Sequence, residues 1–344
     1  MIHIPVNRII KLIAEKRYKT IILEAPDGLR NQLIYLVEKL KKDTNVKEVL
    51  ISGERCFGPC DLSLEDAIKL KVDAILHVGH TEYPHRNASS IARDYNIDII
   101  YIPVYDDILI SEKLFNKVKT VISKLNISSI GLLYSIYYQP AFEDLHDRLL
   151  KGNFVNVYVG KSEIRNMPDG QILGCEISSA KSIKDKVDAF IVVSSGIFHP
   201  LGVSLWTGKL TILVDPIFNR LINLNYEMKR RRSLIAYNIL RFEEARRIGV
   251  LVSSKTLQCN LKIAQDIYRE LINHDKLPQL IFVRNINEDI LCYFPDIDGF
   301  IETACPRIAI DDIENFKKPI LNVEQFLIYT GKRDFNEVYP PPHS

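Results

Sequence analysis

At 344 residues the chain is too long for one ordinary domain and fits two or three. Its 47% hydrophobic and 26% charged residues suit a globular protein that buries sizeable cores. The net charge of +2 comes without a long basic stripe, so nucleic acid is not an expected partner. No run approaches the roughly 20 apolar residues that cross a bilayer, which sets a membrane role aside.

The N-terminus, Met1-Ile-His-Ile-Pro5, lacks the charged region and apolar core of a signal peptide. A cytoplasmic location is therefore expected, and disulfides are rare there. From here the chain repeats itself in thirds. Thr20-Ile-Ile-Leu23 predicts a buried strand, Asn31 to Lys39 has helical spacing, and Glu48-Val-Leu-Ile51 predicts a second strand. Val72-Asp-Ala-Ile-Leu76 predicts a third. The middle third repeats the series with Ile130-Gly-Leu-Leu133, Val155-Asn-Val-Tyr158 and Val187-Asp-Ala-Phe-Ile191. The last third does so with Ile248 to Val252, a helix over Lys262 to Tyr268, Leu280 to Val283, and Ile297-Asp-Gly-Phe-Ile301. Short Ile- and Val-rich runs between helices are the pattern of parallel strands covered on both faces. The expected fold is α/β: three pseudo-repeated domains, each a small parallel sheet flanked by helices, around a central site. Interruptions at Asp106-Asp107 and Pro216 place the domains at 1–110, 111–218 and 219–344. The basic run Lys229-Arg230-Arg231-Arg232 reads as a solvated helix face, with a docking patch for an acidic partner second. The tail from Tyr339 to Ser344 reads as extended and poorly ordered.

The repeat gives the cysteines meaning. In open parallel sheets, ligands bind on the loops after the carboxyl ends of strands. Cys60 (Gly53-Glu-Arg-Cys-Phe-Gly-Pro-Cys60-Asp61) and Cys175 (Pro168-Asp-Gly-Gln-Ile-Leu-Gly-Cys175) follow the second strands of their thirds. Cys305, in Glu302-Thr-Ala-Cys305-Pro-Arg307, follows the third strand of the last. Three such loops could converge on one point. Structural zinc wants four ligands, commonly in CxxC pairs, and no CxxC occurs. Iron–sulfur clusters accept thiolates far apart in sequence, and three leave one iron open. A buried packing thiol is the alternative for each, and the expected state of Cys259 and Cys292. Cys56 reads as core, spare thiol or occasional disulfide partner of Cys60.

Gly-Pro-Cys60-Asp-Leu, Gln-Ile-Leu-Gly-Cys175 and Thr-Ala-Cys305-Pro-Arg-Ile-Ala-Ile-Asp-Asp312 resemble the enzymes of the first step of diphthamide biosynthesis. So do Val78-Gly-His80 and Glu24-Ala-Pro-Asp-Gly-Leu-Arg30, and the likeness runs over nearly the whole chain. It implies a 4Fe–4S cluster on Cys60, Cys175 and Cys305, and cleavage of S-adenosylmethionine at the Cγ–S bond. The 3-amino-3-carboxypropyl group then goes to C2 of a histidine in translation elongation factor 2. With all three cysteines present, the chain resembles the archaeal homodimeric type, served by an electron donor of unknown identity. Cys56, Phe57 and Pro59 depart from the family's first cysteine loop, and the Ser253 to Gln258 loop matches its Gly-rich counterpart only loosely.

For cofactor placement, Arg307 or Lys255 could meet a carboxylate, and Gln258 and Asp312 an amine or ribose hydroxyls. Gly28 and Gly79 would permit tight turns or close backbone approach. His80, after a buried strand, could orient cofactor or target, or be an ordinary loop histidine, while His77 within the strand reads as structural. Two other readings remain at this stage. Quinolinate synthase has the same three-domain, three-cysteine plan but acts on small molecules. A non-catalytic, metal-stabilised binding subunit would supply a fourth ligand, perhaps Cys56.

Overall fold

A computed structural model describes residues 2–83, 88–164 and 166–342. After a short β1 (Ile2–His3), the first unit holds β2 (Thr20–Glu24), β3 (Glu48–Ile51), β4 (Ala74–Val78) and β5 (Asp98–Ile102), then β6 (Tyr105–Asp106), which pairs with β1. The second holds β7 (Ser129–Tyr134), β8 (Asn156–Tyr158), β9 (Ala189–Val193), β10 (Leu210–Asp215) and β11 (Arg220–Asn223). The third holds β12 (Arg247–Ser253), β13 (Leu277–Val283), β14 (Gly299–Glu302) and β15 (Ile320–Leu321).

The sheet orders are β3-β2-β4-β5, β8-β7-β9-β10-β11 and β13-β12-β14-β15. The second-first-third-fourth order thus recurs three times, with every pair parallel except β10 with β11. The fourth strands were not anticipated. β11 pairs antiparallel with β10, so the second sheet runs past the expected boundary at 218.

The repeated aspartate has a structural cause. Asp73 Oδ2 accepts the N–H groups of Lys19 and Thr20 as β2 begins (2.5 and 2.9 Å). Asp188 does the same for Ser128 and Ser129 before β7, and Asp298 for Arg246 and Arg247 before β12. In each unit the residue before the third strand anchors the start of the first. The Ser129 hydroxyl together with the Ser128 and Ser129 N–H groups holds Asp188, and the Arg246 and Arg247 N–H groups hold Asp298, below the usual carboxylate range.

Both faces of each sheet are buried. In the first unit Ile21 and Leu23 pack with Leu33, Leu36 and Leu40, while Ile22 and Ile75 pack with Leu64 and Ala67 on the other face. Registered with Ile22–Ile75 of the first sheet are Gly131–Phe190 in the second and Gly249–Phe300 in the third. The glycines are there because a Cβ on either would lie 2.5–2.6 Å from the phenylalanine ring. One medium pair is replaced by one small and one large residue, which conserves the filled volume.

The third unit also shares core residues with both neighbours. Leu257 is buried in the first unit's core beside Cys60, and Leu201 and Leu205 of the second unit lie in the third unit's core. The basic run lies in the helix Asn225–Glu244, and it is not a solvated face. Arg230 pairs with Glu227 and Glu314, buried Arg231 donates to the carbonyls of Ile310 and Asp311, and Arg232 donates to Asn336. Lys229 alone of the four is exposed. The tail also differs from expectation: Phe335–Val338 is helical and Tyr339 is fully buried, while His343 and Ser344 lie outside the described residues.

Candidate metal centre

The C-terminal strand ends of all three sheets surround one cavity of about 890 Å³. Its wall includes Cys60, Cys175 and Cys305, one from each unit, with His80, Lys255, Gln258, Arg307 and Asp312. Of the residues expected at the site, Gly28 and Gly79 are not on this wall. Gly28 sits in the turn Asp27–Leu29 with no atom near its Cβ position. The constrained glycine is Gly79, whose φ of +116° and contact with Leu29 and Pro26 admit no side chain.

The three sulfurs share one electrostatic environment. Burial raises each thiol, that of Cys175 to about 12; the charge of Cys60 raises Cys175 further, and those of Glu302, Cys175 and Cys60 raise Cys305. Three buried thiols that oppose one another's ionisation are a poor arrangement by themselves. They become a good one when a soft cation replaces the protons, because metal binding reverses that penalty. The donor set therefore fits a thiolate-bound metal group.

Two loops are held by side chains of the third unit. Lys255 Nζ donates to Asp61 Oδ2 at 2.8 Å, with both side chains at least nine-tenths buried. Gln258 Nε2 donates to Cys60 Sγ at 3.2 Å. Arg307 donates Nη1–H to the Gly174 carbonyl at 2.6 Å and Nη2–H to the Phe198 carbonyl at 2.8 Å. Its remaining contacts form a fork on Asp311. Arg307 and Lys255, expected to meet a bound carboxylate, are thus occupied by Asp311 and Asp61. Gln258, expected at an amine or ribose, meets the Cys60 sulfur. Cys305 is held from within its own unit: Glu302 Oε2 accepts the N–H groups of Ala304 and Cys305, both at 2.9 Å. Burial pushes Glu302 up to about 8. Asp312, raised by burial and by Asp311, keeps its place on the wall.

His80 and His77 are not independent. His77 Nδ1 lies 2.7 Å from Glu24 Oε1, and His77 Nε2 lies 2.8 Å from His80 Nδ1. His199 lines the cavity too, held down to about 4 by burial and by Arg307. It was not anticipated, although it follows the third strand of its repeat as His80 does. Cys56 is buried beside His77. Cys259 is half-buried against the third unit's core, whereas Cys292, expected in a core, is exposed with Sγ 3.2 Å from the Asp289 carbonyl.

Among the described residues, no helix is long and apolar enough to cross a membrane. Two curated proteins named 2-(3-amino-3-carboxypropyl)histidine synthase are similar over nearly full length. That of Pyrococcus horikoshii is 28% identical, covering 99% of this chain and 96% of its own. That of Methanocaldococcus jannaschii is 27% identical, covering 98% and 94%. A crystal structure of the Pyrococcus horikoshii diphthamide protein with a 4Fe–4S cluster superposes with a TM-score of 0.82 at 27% identity, covering 100% of this chain and 96% of that one. The diphthamide synthesis protein family model matches residues 25–340, and the chain belongs to that family.

Proposed function

We propose that this chain is a 2-(3-amino-3-carboxypropyl)histidine synthase that acts on translation elongation factor 2 in the first step of diphthamide biosynthesis. The observation that carries this reading is the meeting of Cys60, Cys175 and Cys305, each from a different unit, on one cavity in a member of this family. In this reading the three thiolates hold a 4Fe–4S cluster. When bound, the cluster supplies the electron that breaks the Cγ–S bond of S-adenosylmethionine, and three protein ligands leave one iron open to the co-substrate.

The chain's own residues place and insulate the parts. Gln258 directs an N–H at the Cys60 sulfur, and hydrogen bonds to cluster sulfurs tune reduction potential. Lys255 and Arg307 bring positive charge near Cys60 and Cys175, which lowers the cost of their ionisation. Since both cations are already paired, the cavity-wall residues for the co-substrate are Arg55 toward its carboxylate and Asp312 toward its amine or ribose. Orientation matters because the sulfonium has three C–S bonds and only one is to break.

A homodimer belongs to the same reading. β13 is an edge strand whose Leu277, Leu280 and Phe282 are exposed in the single chain, and they would supply an apolar seam. Light scattering at micromolar concentration checks it, and a monomer would count against it. The reaction itself is tested by anaerobic reconstitution with iron and sulfide, then dithionite, S-adenosylmethionine and elongation factor 2. The expected products are methylthioadenosine and a modified histidine. A predominance of 5′-deoxyadenosine, or no consumption of S-adenosylmethionine, overturns the reading.

A further inference from the structure

We propose that Glu24, His77 and His80 form a proton relay whose cavity end, His80 Nε2, accepts the proton that the target imidazole loses at C2. The proposal rests on the function proposed above. That reaction is redox-neutral overall. The C–S bond to Cγ breaks, a C–C bond to imidazole C2 forms, the sulfonium charge disappears, and the C2 hydrogen must leave as a proton. That proton needs an acceptor within reach of the target imidazole, and the cavity wall offers a histidine linked to a buried carboxylate.

The relay begins on paired strands. Glu24 closes β2 and its register partner on β4 is His77, and the two side chains are 2% and 0% exposed. Glu24 Oε2 accepts the Ser63 N–H at 2.8 Å, which leaves Oε1 for His77 Nδ1 at 2.7 Å. Gly79, with its positive φ, turns the chain so that His80 Nδ1 returns to within 2.8 Å of His77 Nε2.

The order of donors follows from the end of the chain. An ionised carboxylate only accepts, so the proton of neutral His77 lies on Nδ1 and its Nε2 is a bare acceptor. His80 must then donate from Nδ1, which leaves a lone pair on its Nε2. His80 is half-buried on the cavity wall, where burial, His77 and His199 hold it below the ordinary histidine range, in its neutral form. When Nε2 takes a proton, His80 passes its Nδ1 proton to His77 Nε2, and His77 passes its own to Glu24. The chain ends with a neutral carboxylic acid and two neutral imidazoles, so no new charge is left buried. His80 is the proposed catalytic residue, while His77 and Glu24 position it and drain it.

Glu24→Gln tests the order of donors. The amide oxygen can still accept from Ser63, but its NH2 then donates to His77 Nδ1 and reverses every bond in the chain. Nitrogen-15 NMR of histidine-labelled, cluster-free protein should find His80 protonated on Nδ1 in the wild type and on Nε2 in Glu24→Gln. In reconstituted enzyme, Glu24→Gln and His80→Phe should still form methylthioadenosine. Histidine modification per methylthioadenosine should fall by roughly 10²-fold, the lower end for a general base. A wild-type His80 protonated on Nε2, or unchanged coupling in both variants, overturns the relay. So does stoichiometric zinc lost in His80→Phe, since Cys56, His77 and His80 also present ligand atoms within 4.8 Å of one another. If the wild type forms no methylthioadenosine, the proposed function fails, and the NMR result still decides the relay.

Discussion

The loops that carry Cys60 and Cys175 differ from the one that carries Cys305 in where their support comes from. The first two are gripped by side chains of the third unit: Lys255 on Asp61, Gln258 on Cys60, Arg307 on the carbonyls of Gly174 and Phe198. The third is held by its own Glu302, three residues earlier on the same strand end. Two corners of the site are therefore set by domain interfaces and one by local folding. The third unit is the template, and the other two dock on it with both polar braces and shared core residues such as Leu257 and Leu201.

Breaking the braces one at a time tests this asymmetry. The largest expected effect is that of Lys255→Met, because it strands the Asp61 carboxylate in a buried site, a loss of about 3–5 kcal/mol. Urea unfolding should show it, and adding Asp61→Asn should restore most of the loss because neither partner is then charged. Arg307→Lys keeps the charge but loses the fork. It should forfeit at least one charge-assisted bond, about 1.5–3 kcal/mol, and loosen the Cys175 loop more than the Cys60 loop in hydrogen exchange.

For the self-supported corner the expected sign is opposite. Glu302 has its folded-state pKa raised from 4.5 to about 8, so the folded protein binds this proton more tightly than the unfolded chain. Its contribution is full below about pH 4.5 and is lost as the pH rises toward 8. Glu302→Gln keeps an acceptor for the two N–H groups without the charge. It should raise the thermal midpoint of cluster-free protein at pH 8 and change it little at pH 4.5. A stabilisation independent of pH would contradict this account. The smallest effect belongs to Gln258→Leu, about 1 kcal/mol in stability. Its clearer sign is chemical: alkylation should slow at Cys60 and not at Cys175, because the N–H that favours the Cys60 thiolate is gone.

Much of this architecture was legible in the sequence because strands covered on both faces must be apolar without interruption. The Val-Asp or Ile-Asp step before each third strand repeats because its carboxylate has the same two N–H groups to satisfy each time. Ile320–Leu321 was not legible, since two residues carry no period. Asp98–Ile102 and Leu210–Asp215 carry an apolar signal of their own, outside the three strands that the repeat defines. At the site, strand-end position was enough to bring the three cysteines together in the reading. The carbonyl partners of Arg307 and the partners of Lys255 and Gln258 were not readable, because each is chosen across an interface between residues more than a hundred positions apart, whereas the Arg307–Asp311 pair is a local i,i+4 contact. Family context placed these side chains at the cavity but assigned them to a ligand, whereas in the structure they meet Asp311, Asp61 and the Cys60 sulfur. His199 could have been found by aligning the repeats, as it opens the helix after the third strand of its unit, where the first unit has His80. The Glu24–His77 contact depends on strand register, which no local pattern reveals.

The proposed ligand set, one cysteine per unit, also has a consequence for how the protein is made. Domains emerge from the ribosome in order at roughly 5–20 residues per second, so tens of seconds separate the appearance of Cys60 from that of Cys305. The braces on Cys60 and Cys175 come from Lys255, Gln258 and Arg307, which are synthesised late. Until then the two earlier thiols sit in loops without their clamps. In the proposed reading, a metal group held by all three thiols is inserted only after Cys305 has been made.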